Sequence, residues 1–561
     1  MNKPLLIALS LTLPAGAFAQ SAVDAYSVSQ SDLRGTARFM SMGGAFTALG
    51  GDISTLNQNP GGIGLYRSSD LSLTFDLEAQ STKSSATSGV DKNSQTKFKV
   101  NNFGYIGSVY TGSETMPFFN WGVSYSRSAS FDRRYGGSLG ELGTSYSNLV
   151  ADFTNRDAAD GMFKIPQLAA GGAGSNYNPY FDSPASWSSI LMYNSYGINP
   201  TAPNANSVVG LWNYGTNDGS GAYNGSTGTA WYDIEEKGHI DEYSINFGGN
   251  VMNMLYWGIG FGITDLDFKQ YANYSETINN ANVATSSADA YTSGDASLGM
   301  TNYKHIWGSG FNFKAGVIVK PINELRFGLA VHTPTYYNLS YEGQAWTNFK
   351  YNSPTYEAAE NGSAQGEYDD FDWKLQSPWR LMFGVAGVIG GRAIISADYE
   401  YRAYGDMKVK DWEGYNYTDT NEDVKTYYQA TNIFRIGAEY RVTPAFSVRA
   451  GYSYESSPVK TELLDPTGSQ ASYVYTSGYD DTETQPSYTL DRSTNYITCG
   501  LGYKYKNFYA DLAYVYRHRK SDYHAFTDYN ENVEPHYLVQ APKASVTDNN
   551  SQVVLTLGVR F

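Results

Sequence analysis

The chain ends in QVVLTLGVRF (Gln552–Phe561), where Val553, Leu555, Leu557, Val559 and Phe561 fall on one side of an extended backbone and Gln552, Thr556, Gly558 and Arg560 on the other. The same scheme recurs upstream. FRIGAEYRV sets Phe434, Ile436, Ala438, Tyr440 and Val442 against Arg435, Glu439 and Arg441, and FSVRAGYSYE sets Phe446, Val448, Ala450, Tyr452 and Tyr454 against Ser447, Arg449, Ser453 and Glu455. These are strands with one polar face and one greasy face tipped with tyrosine.

Fourteen such segments start near Leu71, Asn101, Trp121, Glu242, Tyr256, Gly308, Glu324, Trp379, Ala393, Asn432, Phe446, Asn495, Phe508 and Gln552. Short links (MNML, KPIN, GGR, TPA, KN) alternate with long ones: 81–97, 132–241, 269–307, 333–378, 404–431, 456–494 and 519–551. An even set of roughly ten-residue strands with short turns at one end and long loops at the other is the pattern of an outer-membrane barrel, which here places both termini in the periplasm. A soluble sandwich or propeller also alternates, but it does not require all long loops at one end or tyrosines where a bilayer interface would lie. The fold class predicted is thus all-β, a transmembrane antiparallel β-barrel.

Targeting and composition agree. Residues 1–19 carry Lys3, an apolar run from Leu5 to Leu13 and Ala17-Phe18-Ala19, the layout of a secretory signal peptide. A lone Cys499 forms no intrachain disulfide, and 39 basic against 55 acidic residues, a net charge of −16, exclude a nucleic-acid partner. Phe561 reads as the terminal signal for the barrel-insertion machinery, and the other partners expected are outer-membrane lipid and lipopolysaccharide. No cofactor, metal or catalytic activity is expected. GGSLG (136–140) matches a nucleophile-elbow pattern without the strand and helix that give it meaning, and Asp419, Asn421 and Asp423 begin a calcium-loop pattern that Val424 and Ala430 break. The six histidines are scattered; haem capture through His518, His524 or His536 is the weaker reading.

The division expected is a plug or hatch at 20–69 and a barrel at 70–561. Residues 20–69 precede the first strand and carry NQNPGGIGL (57–65), an irregular, sharply turned stretch. Irregular backbone is tolerated at membrane depth only inside protein or water, so the segment is expected to fold back into the lumen. GGAFTALGGDISTLNQNPGGIG (43–64) resembles the N-terminal hatch of the FadL/TodX transporters of fatty acids and hydrophobic compounds; Asn59-Pro60 matches the family's Asn-Pro-Ala-Gly motif, and Gly61 replaces its alanine. PINELRFGLAVHTP (321–334) is similar to the family's recurring turn and strand. The resemblance implies passive uptake of a hydrophobic small-molecule ligand, caught by outer loops, held in an apolar pocket and released sideways through the wall as the hatch shifts. It assigns the hatch to Gly43, Gly44, Asp52, Asn57, Asn59, Pro60, Gly61 and Gly62, with Asn57 and Asn59 bonding to backbone and Gly61 and Gly62 passing close to the wall. The alternatives are an open porin or a surface haem-binding or adhesive protein.

Overall fold

Period-two alternation builds one closed antiparallel barrel of 14 strands in the computed structural model. The structure describes residues 21–202, 205–215, 225–284, 291–352, 361–465, 484–530 and 538–561; the signal-peptide assignment and His536 lie outside them. The barrel strands are β1 (Asp70–Ala86), β2 (Gly89–Tyr110), β3 (Phe118–Ser130), β4 (Thr227–Val251), β5 (Leu255–Ala284), β6 (Tyr291–Ile322) and β7 (Leu325–His332). They continue with β8 (Arg380–Ile389), β9 (Ala393–Ala403), β10 (Ala430–Arg441), β11 (Phe446–Glu455), β12 (Tyr488–Tyr505), β13 (Phe508–His524) and β14 (Lys543–Arg560). Each pairs with its neighbours, and β14 closes on β1 from Asp70↔Arg560 to Ser85↔Ser545. Beyond that register Phe561 exchanges two backbone hydrogen bonds with Ser69, so the last residue completes the seam between the ends.

The alternating faces point as their chemistry requires. Val553 is 45 % exposed and Val554 fully buried on the same strand. Outward-facing Ile245, Phe261, Ile263, Phe311, Leu329, Phe383, Ile436, Ile497, Leu512 and Leu555 make an apolar band. Exposed aromatics border it on both sides: Tyr110, Tyr440, Tyr503, Phe508 and Phe561 at the short-turn end, Tyr243, Tyr336, Tyr401, Tyr452 and Tyr514 above. The bilayer thus spans about ten residues of each strand next to the short turns. Cys499 faces outward in this band.

Two of the connections read as long loops are largely strand, and a third ends in one. Residues 81–97 form a hairpin closed by Ala86↔Gly89, 269–284 and 291–307 continue the β5–β6 ladder, and 227–241 is the upper half of β4. Above the bilayer the outer face meets water instead of lipid, so the apolar outer stripe that marks a membrane strand fades although the ladder goes on. GGSLG lies in a further strand, Arg133–Glu141, paired to β4. The strands Tyr336–Asn352, Asp369–Gln376 and Lys408–Asp411 extend the wall upward from β6.

Two elements fill this shell. Residues 21–66 occupy the lumen as short helices α1 (Ala22–Ser27) and α2 (Ala37–Ser41) and the 3-10 turns Ile53–Asn57 and Pro60–Leu65. Within the connection 132–241, α3 (Tyr146–Ala159) and α4 (Trp187–Asn194) form a cap. Its Leu149, Phe153, Ile190 and Leu211 share one apolar core with Tyr232, Ile278, Leu298, Phe349 and Phe526 of the extended wall.

Candidate functional site

Turn chemistry fixes the shape of the luminal segment. Asp52 caps the turn Ile53–Asn57 by accepting from the Ser54 amide (2.9 Å) and accepts a second bond from Thr36 Oγ1 (2.7 Å), tying α2 to the turn. Gly43 and Gly44 adopt φ of 63° and 76°, where a side chain is strained. Asn59 Oδ1 accepts from the Gly61 amide (2.9 Å), and its Nδ2 donates to the carbonyls of Thr47 (2.6 Å) and Val317 (3.3 Å). One side chain thereby joins two turns of the luminal segment and β6. Asn57 does not share that role: both of its amide atoms are buried without a hydrogen-bond partner. Asn59, by contrast, sits at the start of the next turn as its cap.

The wall accommodates this segment with glycine. A Cβ built on Gly258 would lie 2.1 Å from the Pro60 carbonyl oxygen, one on Gly328 2.0 Å from that of Thr47, and one on Gly437 2.4 Å from that of Met42. Gly451 stands against the Gly43 amide and Gly316 against the Asn59 side chain in the same way. Gly61 reciprocates, its Cβ position being 2.9 Å from the Gly316 carbonyl; Gly62 instead packs on Thr55 within the luminal segment, so only the first of these two glycines stands in close approach to the wall. The sequence carried this signal unread: Gly437 and Gly451 occupy the polar face of their strands, between Arg435 and Glu439 and between Arg449 and Ser453.

Charges lock what sterics allow. Arg34, with 1 % of its side chain exposed, donates to Asp76 (3.1 Å) and to both oxygens of Glu78. Arg38 pairs with Glu439 (2.9 Å), which also holds Arg449, while Asp32 accepts from Arg517 (2.8 Å) and Asp24 from Lys304 (2.5 Å). Glu400 collects Arg380, Arg402 and Arg435 on the wall, and Asp398 accepts the Thr47 amide (2.7 Å). Such pairs compensate the cost of removing each charge from water, and severing one leaves the other stranded.

One seam of the wall is different. The β2–β3 ladder runs only from Tyr110↔Phe118 to Asn102↔Ser126, and a register shift in the β1–β2 pairing leaves Asn101 out, its side chain turned inward onto the Gly35 carbonyl (3.0 Å). Above Ser126 the two strands are joined by side chains: Lys97 to Asp132 (2.5 Å), and Lys99 to Ser130 (2.5 Å) and Asp132 (3.0 Å). The edge that β2 leaves is taken by the luminal segment, where the Asp32 amide donates to the Ser128 carbonyl (2.9 Å). Lys99 also reaches Glu78, so Arg34, Glu78, Lys99 and Asp132 form one chain of charges from the luminal segment to the seam.

Between the luminal segment and the wall lie three cavities of about 50, 40 and 70 Å³ that meet at Gln30. Their linings include Asp24, Lys304, Arg402, Glu455, Glu242 and Lys314, so they are polar, and the apolar pocket implied by the resemblance is not among them. Asp419, Asn421 and Asp423 lie in the helix Thr418–Tyr427, where Asn421 bonds the Val409 backbone instead of forming an ion loop. His518 bonds Asn549 on the wall and His524 stacks on Tyr488.

No protein-family model and no curated protein matches the chain. Among solved structures, the toluene transporter TodX of Pseudomonas putida is similar at 12 % identity with a TM-score of 0.44, over 94 % of this chain and 99 % of that one. A FadL homologue of Pseudomonas aeruginosa is similar at 12 % identity and a TM-score of 0.48, over 95 % and 99 % of the two chains. The toluene transporter TbuX of Ralstonia pickettii is similar at 15 % identity and a TM-score of 0.42, over 94 % and 99 %.

Proposed function

We propose that this protein is a passive outer-membrane channel for hydrophobic small molecules, fatty-acid-like or aromatic, in which residues 20–69 act as a hatch and the ligand leaves sideways between β2 and β3. Residues 1–19 are its signal peptide, both termini are periplasmic, and Phe561 is read by the insertion machinery. The outward aromatic girdles contact outer-membrane lipid, with lipopolysaccharide around the upper wall.

The observation that carries this reading is the shared edge at Ser128, where a hatch amide stands in for a wall strand. A ladder that is complete costs about 0.5–1.5 kcal/mol per backbone bond to part. Here the upper seam is held by salt bridges and by the hatch itself, so a shift at Asp32–Gly35 frees an opening in the barrel wall without breaking a ladder. A lateral exit suits an apolar ligand, because it spares passage through a lumen lined by charge. The packed, polar interior corresponds to the closed channel, and admission requires both cap and hatch to move.

Asp32→Cys with Ser128→Cys, in a Cys499→Ser background, places two thiols at a hydrogen-bonded approach short enough for a disulfide. Oxidation should stop uptake of an apolar probe and reduction restore it. Equal uptake in the two states would remove the hatch–seam mechanism.

A further inference from the structure

The cap is fastened to the wall at a buried carboxylate. Glu276 lies in the upper half of β5, well beyond the aromatic girdle, and is 1 % exposed. It accepts hydrogen bonds from Ser145 Oγ, from the Tyr146 backbone amide (2.8 Å) and from the Tyr274 hydroxyl (2.7 Å). Ser145 is the N-cap of α3, so all of the cap's contribution comes from the first turn of one helix, whose dipole favours a negative group. The neighbours on either side are apolar, Ala230 on β4 and Leu298 on β6 being its cross-strand partners. Titratable groups near it are tyrosines: Tyr146 from α3, Tyr274 from β5 and Tyr523 from β13 beside Tyr274. Among the described residues no salt bridge reaches Glu276, in contrast to Glu78, Glu400 and Glu439 in the lumen, each of which holds a cation.

We infer that Glu276 is a proton-sensitive latch that sets how firmly the cap closes the outer mouth, holding it loosely at neutral pH and tightly in acid. The inference rests on the proposed route through that mouth. Burial pushes the Glu276 carboxyl above its ordinary range, and its three hydrogen bonds only partly offset this. The sign follows. With the cap lifted, the carboxyl is solvated and titrates normally; with the cap down, it holds its proton to higher pH. The state that binds the proton more tightly is favoured as pH falls, so acid stabilises the closed cap and neutral pH leaves a desolvated charge that loosens it. A protonated Glu276 donates one bond, to the Ser145 hydroxyl, and keeps an acceptor for the Tyr146 amide.

Hydrogen exchange of the α3 amides in the folded full-length protein, between pH 5 and 7.5 and corrected for intrinsic exchange, tests this without any transport assay. In the parent, protection should rise several-fold on acidification. In Glu276→Gln, which keeps the shape and removes the titration, it should be high and flat. A parent without pH dependence, or a Glu276→Gln variant with the parent's dependence, overturns the latch; Ser145→Ala, which removes one cap bond, should lower protection in both backgrounds. Uptake of an apolar probe that is the same at pH 5 and 7.5 with the exchange pattern intact would instead count against the proposed route alone.

Discussion

Adding one methyl group to the barrel wall should unseat the hatch. Gly258 lies on β5 with ordinary extended backbone, so alanine there is free of backbone strain and suits a strand better than glycine. Its Cβ, however, would stand 2.1 Å from the Pro60 carbonyl oxygen, 2.3 Å from the Pro60 carbonyl carbon and 2.8 Å from the Gly61 amide. All three are hatch backbone, so no side chain can rotate away, and the turn Pro60–Leu65 must retreat by roughly 1 Å; overpacking of this kind costs about 1–3 kcal/mol. Retreat also lengthens the bonds of Asn59 to Thr47 and Val317, at about 1 kcal/mol each. A total of about 3–5 kcal/mol corresponds to a shift of roughly 150- to 5,000-fold toward the displaced hatch. Gly387→Ala on β8 is the control, since its Cβ would meet nothing nearer than 4.0 Å. In planar bilayers Gly258→Ala should raise ionic conductance over parent and control, with heat-modifiable gel mobility unchanged in all three. Equal conductance in Gly258→Ala and parent would refute the claim that this glycine exists to seat the hatch.

The pairing of Asn57 with Asn59 gives a contrast: Asn59→Ala should lower stability by about 2–3 kcal/mol through its lost hydrogen bonds, while Asn57→Ala, which removes a buried amide without partners, should be neutral or stabilising, as read by urea unfolding. Arg34→Met strands Asp76 and Glu78 and should cost about 3 kcal/mol or more, with Lys99 retaining part of the hold on Glu78; an unchanged urea midpoint would contradict the hatch's electrostatic anchoring. Asp423, in the helix Thr418–Tyr427 outside the bilayer, is pushed up to about 6 by burial first and then by Asp419 and Glu422. Its folded value lies above the unfolded one, so this helix should gain protection from proteolysis as pH falls from 7 to 5, and Asp423→Asn should remove that dependence.

How much of this was legible depended on which solvent each residue faces. Where the bilayer imposes an apolar outer face, as at Phe434–Ile436 or Val553–Leu557, strand and orientation could be read directly. Above it, TKSSATSGVDKNSQTK (82–97) is polar on both sides and looks like a loop, although its backbone is a hairpin in register from Thr82↔Asn93 to Ala86↔Gly89. The hatch turns were visible through Asp52, Asn59 and Pro60, which act locally. The partners of Asp32 and Arg34 were not, since Arg517, Asp76 and Ser128 come together only when the barrel closes. Asn57 misled because composition reveals a hydrogen-bonding group and not its direction. The cap was the least readable part: its aromatic and small polar residues find their core only against Tyr232 and Phe349 of distant strands and Phe526 just beyond β13.

The most direct test of the account is single-channel conductance of the intact chain and of a variant lacking residues 21–66, both inserted from folded, heat-modifiable protein. The account predicts that the intact barrel is closed to ions, because hatch and cap fill its lumen, and that the shortened barrel conducts. A conducting intact protein, or a deletion that leaves conductance unchanged, would contradict it.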